Sequence, residues 1–164
     1  MLIHRVVGAT RSPRPLVFLA LGVALAFFPS PSHATPITVP PGLSPGAQYY
    51  LAFVTSGTRD ALSPNIEAYD LFVNQQAALS TSQAVRDITW KAVGSTASVD
   101  AISHLQLAQF PIYLLDGATV IATGGAALWS GNISAPINLD QNRQEVTSSV
   151  WTGSTPSGTG QDGN

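Results

Sequence analysis

The 164-residue chain has seven Lys/Arg, nine Asp/Glu and no cysteine. Without a thiol, disulfides, thiolate zinc sites and a lipid-modified N-terminal cysteine are all excluded. The charges are segregated: Arg5, Arg11 and Arg14 precede every acid, and beyond residue 34 four basic residues face nine acidic ones, a net of −5 with histidine neutral. That body has no basic cluster with which to hold nucleic acid or anionic lipid.

The three early arginines form a positive start, followed by an apolar run from Leu16 to Phe28. The run suits the apolar region of a secretory signal and falls short of the ~20 residues of a membrane span. Pro29 and Pro31 break any helix, and Ser32-His33-Ala34 is a small-x-small site. We expect residues 1–34 to be a cleavable signal, with cleavage after Ala34; the alternative is an uncleaved anchor. The mature chain would then be secreted or held at the cell surface, with no membrane insertion.

Residues 35–47, with Pro36, Pro40, Pro41 and Pro45, read as an extended leader. Tyr49 to Thr55 (YYLAFVT), aromatic and apolar between Pro-Gly and Ser-Gly, reads as a buried strand. Ser63-Pro64 gives a helix start, with serine as N-cap and proline in the first turn. Ile66, Tyr69, Phe72/Val73 and Ala77 then make one apolar stripe on a helix over residues 64–80. Ile88 to Val93 reads as a second strand around Trp90, and residues 94–109 as mostly loop.

Pro111 to Leu115 and Ala118 to Ala122 flank Asp116-Gly117, the signature of a hairpin with a two-residue type I′ turn. Ala126 to Trp129 suggests one helical turn, and Ile133 to Leu139, interrupted by Pro136, at most an edge strand. Val146 to Thr152 could close the sheet, and residues 154–164 read as a flexible Gly/Ser/Thr tail. The expectation is a single α+β domain over residues 48–153, one main helix packed on a twisted, mostly antiparallel sheet. Its core would include Tyr50, Phe53, Ile66, Tyr69, Phe72, Trp90, Ile112, Leu114, Val120 and Trp151.

The blocks YYLAFVTSGTRDA, ITWKAVGSTASVDA, PIYLLDGATV, ALWSG, API and VWTGS carry a resemblance. From Tyr49 to about Gly153 the chain resembles a domain of secreted bacterial proteins sorted by exosortase through a Pro-Glu-Pro C-terminal tail. The same blocks look like the core pattern of endostatin-like, C-type-lectin-like domains of bacterial surface proteins. The resemblance implies a C-type-lectin-like fold and a surface role. The sequence departs from the pattern in stopping at Asn164, soon after VWTGS, and in lacking the sorting tail. The resemblance therefore implies either a truncated product or a member released without an anchor. The flanked proline that carries calcium and sugar ligands in true C-type lectins is missing too, so no ligand residue transfers.

Beyond residue 34 the one histidine is His104, with Asp100 four residues away. Serines abound, yet no Gly-x-Ser-x-Gly elbow accompanies them, so a Ser-His-Asp arrangement is coincidence more readily than design. Zinc would need more nitrogen or sulfur ligands. Calcium needs only oxygens, and Asp60, Asp100, Asp116, Asp140 and Asp162 sit in loops; solvated acids are the simpler account. Trp90 and Trp151 fall in strand patterns and read as core, whereas Trp129 borders a glycine-rich turn and could stack on a sugar. Asn132-Ile133-Ser134 is a glycosylation sequon, meaningful only in a glycosylating host.

The expected function is a non-enzymatic secreted or cell-surface module for adhesion or matrix association, without cofactor. Its partners would be extracellular polysaccharide or surface proteins, and not nucleic acid. The alternative is a carbohydrate- or calcium-dependent binding domain using Trp129 and Asp140, and the third reading is a small secreted hydrolase.

Overall fold

The computed structural model describes the backbone of Leu2–Val7 and residues 40–161. The expected cleavage site after Ala34 and the acid Asp162 lie outside the described residues. The protein is α+β, with one long helix and a small mixed sheet of three strands, β2 (Gln48–Phe53), β4 (Ile112–Leu114) and β5 (Val120–Ala122). Strand β1 (Leu2–Val7) lies along the free edge of β2 and pairs on its other side with β3 (Lys91–Ala92), giving the order β3-β1-β2-β4-β5. The central pair β2–β4 is parallel, so the sheet is mixed, while the other pairings, β1–β2, β1–β3 and β4–β5, are antiparallel. Parallel neighbours require a crossover, and the stretch between them supplies it as helices α1 (Ile66–Ala78), α2 (Gln83–Arg86) and α3 (Ala101–Leu105).

Strand β2 is covered on both faces, which is why YYLAF is a continuous apolar run and not an alternating one. Tyr49, Leu51 and Phe53 pack with Val73 and Ala77 of α1 and with Trp90. Tyr50 and Ala52 face the other way, onto Leu105 of α3, Ile112, Ile121 and Leu128 of α4 (Gly125–Leu128). Trp90 anchors the first layer: its ring meets Phe53 edge-on at 4.8 Å and its indole N–H donates to the Val85 carbonyl at 2.9 Å. Of the expected core residues, Tyr50, Phe53, Ile66, Trp90, Ile112 and Leu114 are buried, and Tyr69, Phe72 and Val120 are partly so. Trp151 is not core; it is 56% exposed.

Several local expectations are corrected by hydrogen bonding. The helix begins two residues later than Ser63-Pro64 suggests, because Asn65 is the cap and its side chain accepts from the Glu67 amide at 3.2 Å. Residues 94–109 are mostly loop as expected, with the short α3 set within them. The Asp-Gly hairpin exists but is not a two-residue turn: the Gly117 amide closes on the Leu114 carbonyl, and only Gly117 has positive φ (+69°). Residues 40–47 are not extended; Pro41-Gly42 and Pro45-Gly46 make two successive turns, with both glycines at positive φ. Residues 133–139 and 146–152 form no strand, only a bridge between Leu139 and Glu145. Of residues 154–164, expected as a flexible tail, the described part up to residue 161 closes a loop through a bridge between Ser154 and Gly160.

Candidate functional site

Beyond Phe53 the chain leaves the sheet and forms one wall of a groove of about 480 Å³. The near end of the loop is held by two glutamine side chains. Gln141, itself buried, accepts the Ser56 amide at 3.1 Å and donates to the Ser56 hydroxyl at 2.6 Å, while Gln76 of α1 accepts the Gly57 amide at 2.9 Å. Arg59 donates to the Ala68 carbonyl at 2.6 Å and lies 5.1 Å over the Tyr69 ring, pinning the far end of the loop to α1. The opposite wall is the chain after β3 together with residues 146–152, joined where the Ser95 amide meets the Thr152 carbonyl at 3.1 Å.

The groove lining includes apolar Val54, Ile66, Phe72, Val73, Ala92 and Val93. Three exposed apolar side chains also line it: Leu62 (85%), Val150 (50%) and Trp151 (56%). Exposed apolar groups gathered on one concave surface are the mark of a binding site more than of a solvated face. Sequence reasoning missed this groove because it assigned Trp151 to a strand. The polar, turn-rich stretch from Val146 to Ser154 was the available signal that no strand would cover that ring.

The sequence-derived candidates do not converge. Asp140 is buried, and its Oδ1 accepts the amides of Asn142 and Gln144, both at 2.8 Å, so it shapes its own turn. Trp129 is partly buried beneath the 153–161 loop, whose Gly158 backs directly onto its ring. Asp100 precedes α3 and its Oδ1 accepts the Gly160 amide at 2.7 Å. Asp116 accepts the Ala118 and Thr119 amides and the Thr119 hydroxyl. Burial alone would raise its carboxyl; those hydrogen bonds, with Arg143 nearby, outweigh it and hold the group below its ordinary value. Asn132 of the sequon is exposed.

His104 pairs not with Asp100 but with Asp70 of α1, at 3.0 Å from Nε2 to Oδ1. The same carboxylate oxygen accepts the Ala92 amide at 2.7 Å, so Asp70 ties α1 to β3 and to α3. Among the described residues no serine or threonine hydroxyl bonds to His104, and no three His, Asp or Glu side chains gather as metal ligands. Comparison with known protein families, curated proteins and solved structures finds no match.

Proposed function

We propose that this protein is a non-enzymatic, exported binding module that associates with the cell surface or extracellular matrix through the groove beside β2. The observation that carries this reading is the exposed cluster of Leu62, Val150 and Trp151 at a preformed groove. Support for the absence of catalysis comes from the commitments of the polar side chains. Asp70, Asp100, Asp116 and Asp140 all hold backbone amides of their own fold. Support for export comes from the arginine-led apolar leader and its small-residue site. The exosortase-sorted, C-type-lectin-like resemblance points to the same compartment.

Fractionation of expressing cells tests this. The product is expected outside the cytoplasm with Thr35 as its first residue, and Trp151→Ala is expected to move it from the surface-bound fraction into the medium. Intact Met1 recovered from cytosol would sink the export reading, and unchanged surface retention would sink the groove.

A further inference from the structure

Strands β2 and β3 are not paired with one another; a space one strand wide separates them, and Leu2–Val7 fills it. Leu2 lies opposite Phe53 on one side and Ala92 on the other, and Ile3 opposite Ala52 and Lys91, antiparallel to both. The far edge of β3 is already taken by α1. Asn74 donates to the Trp90 carbonyl at 2.8 Å and accepts its amide at 2.9 Å, and Asp70 accepts the Ala92 amide. Two helix side chains thus replace a strand there, and the edge left for a strand is the one facing β2.

The leader reading removes the six residues that fill this space. We propose that the gap between β2 and β3 is a strand-acceptor site. After leader cleavage, an extended, largely apolar segment of a partner polypeptide takes the place of Leu2–Val7 and continues into the groove. The proposal rests on the export and groove readings above and names the class of ligand the groove takes.

Three observations set the partner's chemistry. First, adding a strand to an open edge satisfies backbone groups that would otherwise face solvent, which favours an extended peptide over a sugar or a helix. Second, β2 and the chain around β3 divide their residues between the two core layers: Phe53 and Ala92 belong to one, Ala52 and Val93 to the other. A strand between them has a core layer on each side and must be mainly apolar, as Leu-Ile-His-Arg-Val-Val is in four of its six residues. Third, the groove prolongs the gap. Val54 and Thr55 carry on from β2, Val93 to Ser95 carry on from β3, and both stretches line it. Leu2 stands at the boundary, so a strand longer than β1 would extend its N-terminal end between these walls towards Trp151.

The test uses the full chain with a specific protease site inserted between Val7 and Pro40, folded intact and then cut. Fluorescent synthetic peptides are added: Leu-Ile-His-Arg-Val-Val, the same peptide with two further apolar residues at its N-terminus, and a version with proline opposite Leu51. The extended peptide is expected to bind about tenfold more tightly than the short one, and the proline peptide not at all. Trp151→Ala is expected to abolish the advantage of the extension while leaving the short peptide unaffected. If the cut chain unfolds, restoration of its circular dichroism by the extended peptide supports the proposal equally. A cut chain that keeps its fold and takes up no peptide overturns it, as does equal binding of the proline peptide. Dimerisation of the cut chain without peptide would assign the gap to a second copy and overturn the partner polypeptide. Recovery of an uncleaved product from cells would overturn the export reading, while peptide uptake in vitro still reports on the gap itself.

Discussion

Gly158 sits at φ +80°, and a Cβ there would lie 2.7 Å from Cε3 of Trp129 and 3.0 Å from Cβ of Ile102. Neither the backbone nor the ring can give way cheaply, so Gly158→Ala is expected to lower stability by about 1–3 kcal/mol, read as a lower urea midpoint. Asp116 has a sign that can be worked out. Its carboxyl is held below the ordinary 3.8, so its contribution to the β4–β5 loop is fully present above that value and is lost as pH falls through the lower folded one. The Ala118 and Thr119 amide resonances are expected to shift together below pH ~4, and Asp116→Asn to abolish that step. At this scale the sequence was only half legible. The acids were visible, but their roles depend on amides brought from elsewhere in the fold: Gly160 for Asp100, Ala92 for Asp70. Asp100 is the acid nearest His104 in sequence, whereas the carboxylate that His104 meets in the fold comes from another helix.

Helix α1 was legible from its apolar stripe, since Ile66, Val73 and Ala77 are buried as the spacing requires. Its start was displaced because Ser63 and Asn65 are linked: the Ser63 hydroxyl accepts the Asn65 amide, and Asn65 in turn caps Glu67. Asn65→Ala is accordingly expected to cost about 1 kcal/mol, and Ser63→Ala less, measured by thermal unfolding. The polar side of the helix carried information that periodicity does not reveal. Asp70 and Asn74, one turn apart, look like solvated residues in sequence, yet they bond the backbone at Trp90 and Ala92. The hairpin was legible in existence but not in turn type. A type I′ turn needs positive φ at both Asp116 and Gly117, and the Asp116 side chain instead gathers Ala118 and Thr119 into a longer loop.

At the scale of the molecule, the strand formed by Leu2–Val7 is what no local pattern discloses. Leu2–Val7 contains Arg5 and His4 and precedes an apolar run, so it reads as the charged start of a signal; only its pairing with the facing edges of β2 and β3 gives it a second identity. Ile3→Pro removes a backbone donor between two strands. It is expected to destabilise the uncleaved chain by about 1 kcal/mol or more and to leave the product of the proposed cleavage unchanged in stability, with both read by chemical denaturation. The parallel pairing of β2 with β4 has a further consequence, one of timing. Tyr50 cannot meet Ile112 until α1, α2, β3 and α3 have all emerged, and contacts that distant in sequence close slowly. A polypeptide whose central seam is among the last to zip remains threadable for longer, which suits the passage through a pore that the proposed export would require.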